Sequence, residues 1–249
     1  MLIAKLYIWV VTMTALVTFV SHFQSVAQTI VDPTPAVIYV RNNGALELNG
    51  TASGSLGNLK QLDARLKKLF SEREKSTEEP SKTIRQKSSC YTTPVVIRVD
   101  ESWDYGSIAD FIVHVRAAGA DPIRVQASHN QDGTFLTVPQ EPCPDQDLSL
   151  LKPNPLTLVV RISSDHSLFL NHEAKGTTAD TSILQKRLSD LFRRRAKEGA
   201  FRIGTNEVEK TVFVKGARKL PFDGVIRIVD VVRRVGADPI MLQIDDLEP

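Results

Sequence analysis

Few residues in this chain have the type and spacing to do chemistry. Asp100, Glu101 and Asp104 surround Trp103 and Tyr105 in one short stretch. Carboxylates beside aromatic rings suit recognition of a partner, with the rings as anchors. Asp100, Trp103, Asp104 and Tyr105 are therefore the candidate partner-binding residues. A blander assignment is that Trp103 and Tyr105 only staple the start of a helix. Cys90 and Cys143 would form one disulfide in an oxidising compartment, and two unpaired thiols are the alternative, because spacing does not give geometry. The five histidines are scattered, with no cysteine–histidine cluster at metal-ligand spacing, so no metal is assigned. No glycine-rich phosphate loop follows a strand and no Gly-x-Ser-x-Gly occurs. The chain reads as non-catalytic and without a cofactor.

The elements that would position these residues come in duplicate. Gly119-Ala120-Asp121-Pro122-Ile123 returns as Gly236-Ala237-Asp238-Pro239-Ile240, 117 residues later, and Gln126 returns as Gln243. Upstream, Leu62, Leu66, Leu69 and Phe70 return as Leu184, Leu188, Leu191 and Phe192, and Asn49 as Asn171, 122 residues later. One length change between helix and strand reconciles the offsets, so the chain holds two copies of a small unit. Its 249 residues suit two units of about 90–100 residues each.

Each copy predicts the order ββαβαβ. A hairpin with Asn42-Asn43-Gly44 at its turn opens the first copy. A helix follows, carrying the leucine stripe at helical period, with Asn58 or Asp180 as its N-cap and Gln61 completing a capping-box exchange. Polar spacers at 71–93 and 193–210 come next. The run Arg193-Arg194-Arg195 with Lys197 reads as a solvated helix end. A buried strand then leads into a second helix with Ile108, Phe111, Ile112 and Val115 in one copy and Val225, Ile228, Val229 and Val232 in the other. Gly119 and Gly236 stop those helices, and Asp-Pro sends the chain out extended. The expected class is α+β: two small mixed sheets, at 35–128 and 155–247, each with two helices packed on it. Residues 129–154 hold Pro139, Pro142, Pro144 and Pro153 and read as a stiff linker.

The first 27 residues differ in kind. Lys5 precedes an apolar run at 6–20, which as a helix spans about 22 Å against a hydrocarbon core of about 30 Å. Small residues at Ser25 and Ala27 then fit a secretory signal cut after Ala27; a retained membrane anchor is the alternative. Either places the remainder in the periplasm or on the periplasmic face of the inner membrane. With a formal charge of only +2, nothing asks for nucleic acid.

The order of elements, the Val95-Val96-Ile97-Arg98-Val99-Asp100 strand, Tyr105-Gly106 at the second helix and the Ala117-Ala118-Gly119-Ala120-Asp121-Pro122-Ile123 ending together resemble the periplasmic domain of the ExbD/TolR biopolymer-transport family. The second copy matches through 211–243, with Phe222 at the aromatic position. The resemblance implies transmembrane transport of biopolymers, including protein, driven by the proton-motive force. It implies ExbB/TolQ-type motor subunits as partners, or other envelope proteins, or peptidoglycan. Family members use an aspartate in the membrane helix as proton carrier. Here residues 1–31 contain no Asp or Glu, so no proton role transfers to any position. The implied function is thus an accessory or partner-binding component lacking that aspartate, with the tandem domains pairing with each other. A periplasmic cell-wall-binding or passive structural protein is the alternative.

Overall fold

The computed structural model describes residues 34–76, 93–100, 102–127, 135–140 and 154–248. Residues 1–27, expected to be a signal or an anchor, and Cys90, Glu101 and Cys143 lie outside them. From Pro35 onward the chain is one compact unit.

The first repeat runs β1 (Ala36–Val40), β2 (Ala45–Leu48), β3 (Thr51–Ser55), α1 (Lys60–Ser76), β4 (Val95–Val99), α2 (Tyr105–Ala117) and β5 (Ile123–Ala127). After β6 (Leu136–Thr137), the second repeats that order: β7 (Leu158–Ile162), β8 (Ser167–Leu170), β9 (Glu173–Thr177), α3 (Ser182–Glu198), β10 (Val212–Gly216), α4 (Phe222–Arg234) and β11 (Ile240–Leu242). The class is α+β as expected, but each repeat has a third strand that the sequence does not announce. The larger correction concerns the sheets. Instead of two small ones there is a single 11-stranded sheet, ordered β3-β2-β1-β4-β5-β6-β11-β10-β7-β8-β9.

The repeated residues explain the repeated geometry. Asn49 and Asn171 take positive φ, 50° and 55°, at the turn into the third strand. Their side-chain oxygens accept from Val37 N at 2.8 Å and Val159 N at 2.9 Å, which holds each turn against the first strand. An asparagine suits this position because it tolerates the left-handed region and supplies its own acceptor. Asp180 accepts from Ser182 N, although the capping position itself is Thr181. The two Asp-Pro bonds, 121–122 and 238–239, are both cis.

Strands alternate buried and half-exposed residues, as in β1 and β7, so one face of the sheet is covered and the other open. The covered face and the helix stripes form one continuous apolar core that runs through both repeats. Leu62, Leu66, Ile108, Ile112, Leu184, Leu188, Val225 and Val232 are fully buried in it. Each such side chain contributes roughly 1.5–3 kcal/mol, which is why the helical stripes were readable.

The linker is not only a spacer. Its strand β6 pairs antiparallel with β5, at Arg124↔Thr137 and Val125↔Leu136, and parallel with β11, at Met241↔Thr137. It joins the last strands of the two repeats. The spacer 193–210 also departs from expectation. Helix α3 continues to Glu198, and Arg195 is buried rather than solvated. Its Nη1 donates to Glu209 O at 2.8 Å and its Nη2 to Leu156 O, so one guanidinium ties helix, loop and strand approach together. Phe201 and Val208 bridge the loop beyond it.

Candidate functional site

The four candidate partner-binding residues lie at the start of α2, where the structure gives each an internal task. Asp100, at the end of β4, accepts from Asn42 N at 2.8 Å and so holds the β1–β2 turn. Trp103 donates its indole N–H to Arg41 O at 3.0 Å and packs partly buried on the core. Asp104 is the N-cap of α2, accepting from Ser107 N at 2.7 Å and Ser107 Oγ at 2.9 Å. Tyr105 is fully buried. Burial pushes its phenol well above the usual tyrosine range, with the Asp245 charge adding to the effect.

What Tyr105 meets is the other repeat. Its N–H donates to Leu220 O at 2.7 Å, and the counterpart bond runs from Phe222 N to Trp103 O at 2.7 Å. Tyr105 and Phe222 occupy equivalent positions, as do Trp103 and Leu220, and Asp104 bridges its own counterpart Pro221. A contact in which i meets j and j meets i is isologous, the signature of a twofold axis. The two rings stack with centroids 6.5 Å apart and planes 12° apart. The tyrosine hydroxyl donates to Gln243 O at 2.5 Å. Two glycines make the approach feasible. A Cβ on Gly216 would stand 2.8 Å from Val225 Cγ2 and 3.5 Å from Tyr105 Cδ1; one on Gly106 would stand 2.9 Å from Arg218 Cβ. At the rim, Arg218 pairs with Asp110.

The open face of the sheet carries the remaining chemistry, in two equivalent rows of side chains. In the first repeat the row is Glu47, Tyr39, Arg98 and Gln126, aligned by the registers Tyr39↔Glu47, Tyr39↔Arg98 and Arg98↔Gln126. In the second it is Phe169, Arg161, Lys215 and Gln243, with Arg161↔Phe169 and Lys215↔Arg161 in register. Both rows stack guanidinium on an aromatic face: Arg98 at 5.2 Å and Arg41 at 4.6 Å from the Tyr39 ring, and Arg161 at 4.0 Å from Phe169. A hollow of about 390 Å³ lies on the second row, lined by Thr157, Val159, Arg161, His172 and Lys215.

The rows differ in how their charges are met. Arg161 pairs with Glu248, and Lys215 donates to Asp246 O at 3.3 Å, so the segment after β11 folds back over its own row. In the first row Arg41 takes Glu47 at 3.0 Å, its guanidinium held above the usual arginine range by that bond. Arg98 has only neutral partners: Nη1 donates to Tyr39 Oη at 2.6 Å and Nε to Gln126 Oε1 at 3.0 Å. Sequence reasoning passed over these rows. The signal for them was a cation or aromatic at one outward position of each central strand, at Tyr39, Arg98, Arg161 and Lys215, where a solvated face needs neither.

Among the described residues no group of histidine, cysteine or carboxylate side chains could hold a metal ion, and no helix is long and apolar enough to cross a membrane. No protein-family model matches the chain, and no curated protein matches it.

Proposed function

We propose that this chain is a non-catalytic, partner-binding protein of the cell envelope of the ExbD/TolR kind. It serves as an accessory component of a biopolymer transport system driven by the proton-motive force, and it supplies in one polypeptide the paired domains that such a system needs. The supporting observation is the isologous seam, in which Tyr105 N–H to Leu220 O is mirrored by Phe222 N–H to Trp103 O. Equivalent loops of two repeats are used against each other as two copies of one subunit would use them. ExbB/TolQ-type subunits are the proposed motor partners, and the absence of Asp and Glu from residues 1–31 leaves the proton step to another protein.

The test joins three measurements. Envelope fractionation with mass spectrometry of the mature amino terminus tells a protein released after Ala27 from an anchored one. Sedimentation of the purified chain is expected to give a monomer, because the seam is already filled internally; a dimer formed through either repeat overturns the paired-domain reading. Co-purification with ExbB/TolQ-type subunits carries the transport reading. Recovery on isolated cell wall without those subunits would replace it with a wall-binding role, and recovery of neither would leave a passive structural protein.

A further inference from the structure

The second repeat displays what its row of cations accepts: an acidic segment of this same chain, bent at Asp245–Asp246 with Asp246 at positive φ. Residues 244–248 read Ile-Asp-Asp-Leu-Glu, and the Glu248 carboxylate reaches Arg161 while the Asp246 carbonyl takes Lys215. The backbone of the segment is anchored as well, with Arg218 N donating to Glu248 O at 2.8 Å. At the 117-residue offset set by Gln126 and Gln243, the same positions of the first repeat are Ala127, Ser128, His129, Asn130 and Gln131. Every carboxylate of that segment is gone. The first row keeps a cation, an aromatic platform and its glutamine, and among the described residues no carboxylate bonds to Arg98. Glu47, the one carboxylate within the row, is taken by Arg41 through two bonds, at 3.1 and 3.0 Å.

We infer that the row Tyr39–Arg98–Gln126 is a docking site for an acidic peptide of a partner protein, one of whose carboxylates pairs with Arg98 in the way that Glu248 pairs with Arg161 on the neighbouring strand of the second row. The chemistry is specific. Tyr39 and Gln126 fix the guanidinium by Nη1 and Nε, which leaves Nη2 without a hydrogen bond among the described residues and the fork set for a carboxylate oxygen. The Tyr39 ring beneath the cation removes water from one side and strengthens the pairing. The inference rests on reading the chain as a binding module and names the partner's chemistry.

The probe is a capped, fluorescently labelled peptide of residues 241–248, Met-Leu-Gln-Ile-Asp-Asp-Leu-Glu, titrated into the full chain with its own 244–248 segment intact. Saturable binding is expected, weakened at least about tenfold by Arg98→Gln and much less by Arg98→Lys, with thermal melts verifying that each variant is folded. Changing the peptide acids to amides, which leaves the protein untouched, should abolish binding. Binding that ignores Arg98→Gln or the amide change overturns the inference, as does no binding at millimolar peptide. Binding lost in Arg161→Gln while Arg98→Gln is silent also overturns it, by placing the peptide on the second row. A chain that binds the peptide through Arg98 yet ignores motor subunits keeps this inference and loses the transport reading; the opposite pattern removes this inference alone.

Discussion

At the seam the first repeat contributes Tyr105 and the second Phe222; on the open face the first presents Tyr39 and Arg98 where the second presents Arg161 and Lys215. The two substitutions differ in kind. Exchanging one buried ring for another preserves volume, and the added hydroxyl is satisfied by Gln243 O. The seam can therefore diverge in detail and stay twofold in shape. The open face carries no such constraint, so its charges have moved between strands and found different partners. Duplication kept the scaffold and released the surface.

If the seam is as symmetric as its hydrogen bonds, equal truncations on either side should cost alike. Tyr105→Ala and Phe222→Ala are each expected to destabilise by about 4 kcal/mol, measured by urea unfolding of the full chain. A large loss on one side only would show that one repeat carries the seam. Next in size comes Arg195→Met, which keeps length but strands the Leu156 and Glu209 carbonyls. A loss of about 3 kcal/mol is expected, and a stabilised variant would mean that water replaces the guanidinium without cost.

Tyr105→Phe makes the seam chemically symmetric and should lose about 1 kcal/mol at neutral pH. Its more telling effect is on alkaline stability. The folded phenol has its pKa raised by burial, so the contribution is fully present below about pH 10 and is lost as pH rises toward the folded value. The slope is about 1.4 kcal/mol per pH unit, because only the unfolded chain releases that proton. Stability curves from pH 9 to 11 should be flatter in Tyr105→Phe than in the parent. Asp104→Ala is expected to lose about 1 kcal/mol through its lost N-cap. The equivalent Pro221 makes no side-chain cap, so Pro221→Ala should leave helix stability nearly unchanged when the same melts are compared.

The local half of the fold was legible in the sequence. Leucine stripes at 3.6-residue spacing, glycine stops with φ of 101° and 87° at Gly119 and Gly236, and the recurring asparagines all act over a few residues. What escaped acts over long separations. Strands β3 and β9 carry no apolar alternation because they lie at the sheet edges, and β6 is too short to show a period. Burial of Arg195 depends on carbonyls 39 and 14 residues away. The cluster Asp100–Tyr105 reads in sequence as facing a partner, whereas the structure gives it internal contacts: Asp100 and the Trp103 indole hold the β1–β2 turn, and Tyr105 meets the other half of the same chain. One clue to this was present: Gly216 stands in a buried strand where the other copy has Val99, and the space is taken by Val225, Leu220 and the Tyr105 ring.

Each outermost strand is joined to its neighbour with a register shift, between Ala45 and Glu47 at one end and between Ser167 and Phe169 at the other. Such irregularities twist the last row of backbone donors and acceptors away from the plane in which another strand would dock. With β6 filling the sheet between β5 and β11, β3 and β9 are left as its two edges among the described residues. Molecules of this protein stacked side by side would not zip into a longer ribbon, which guards a crowded, concentrated layer of them against growth into fibrils.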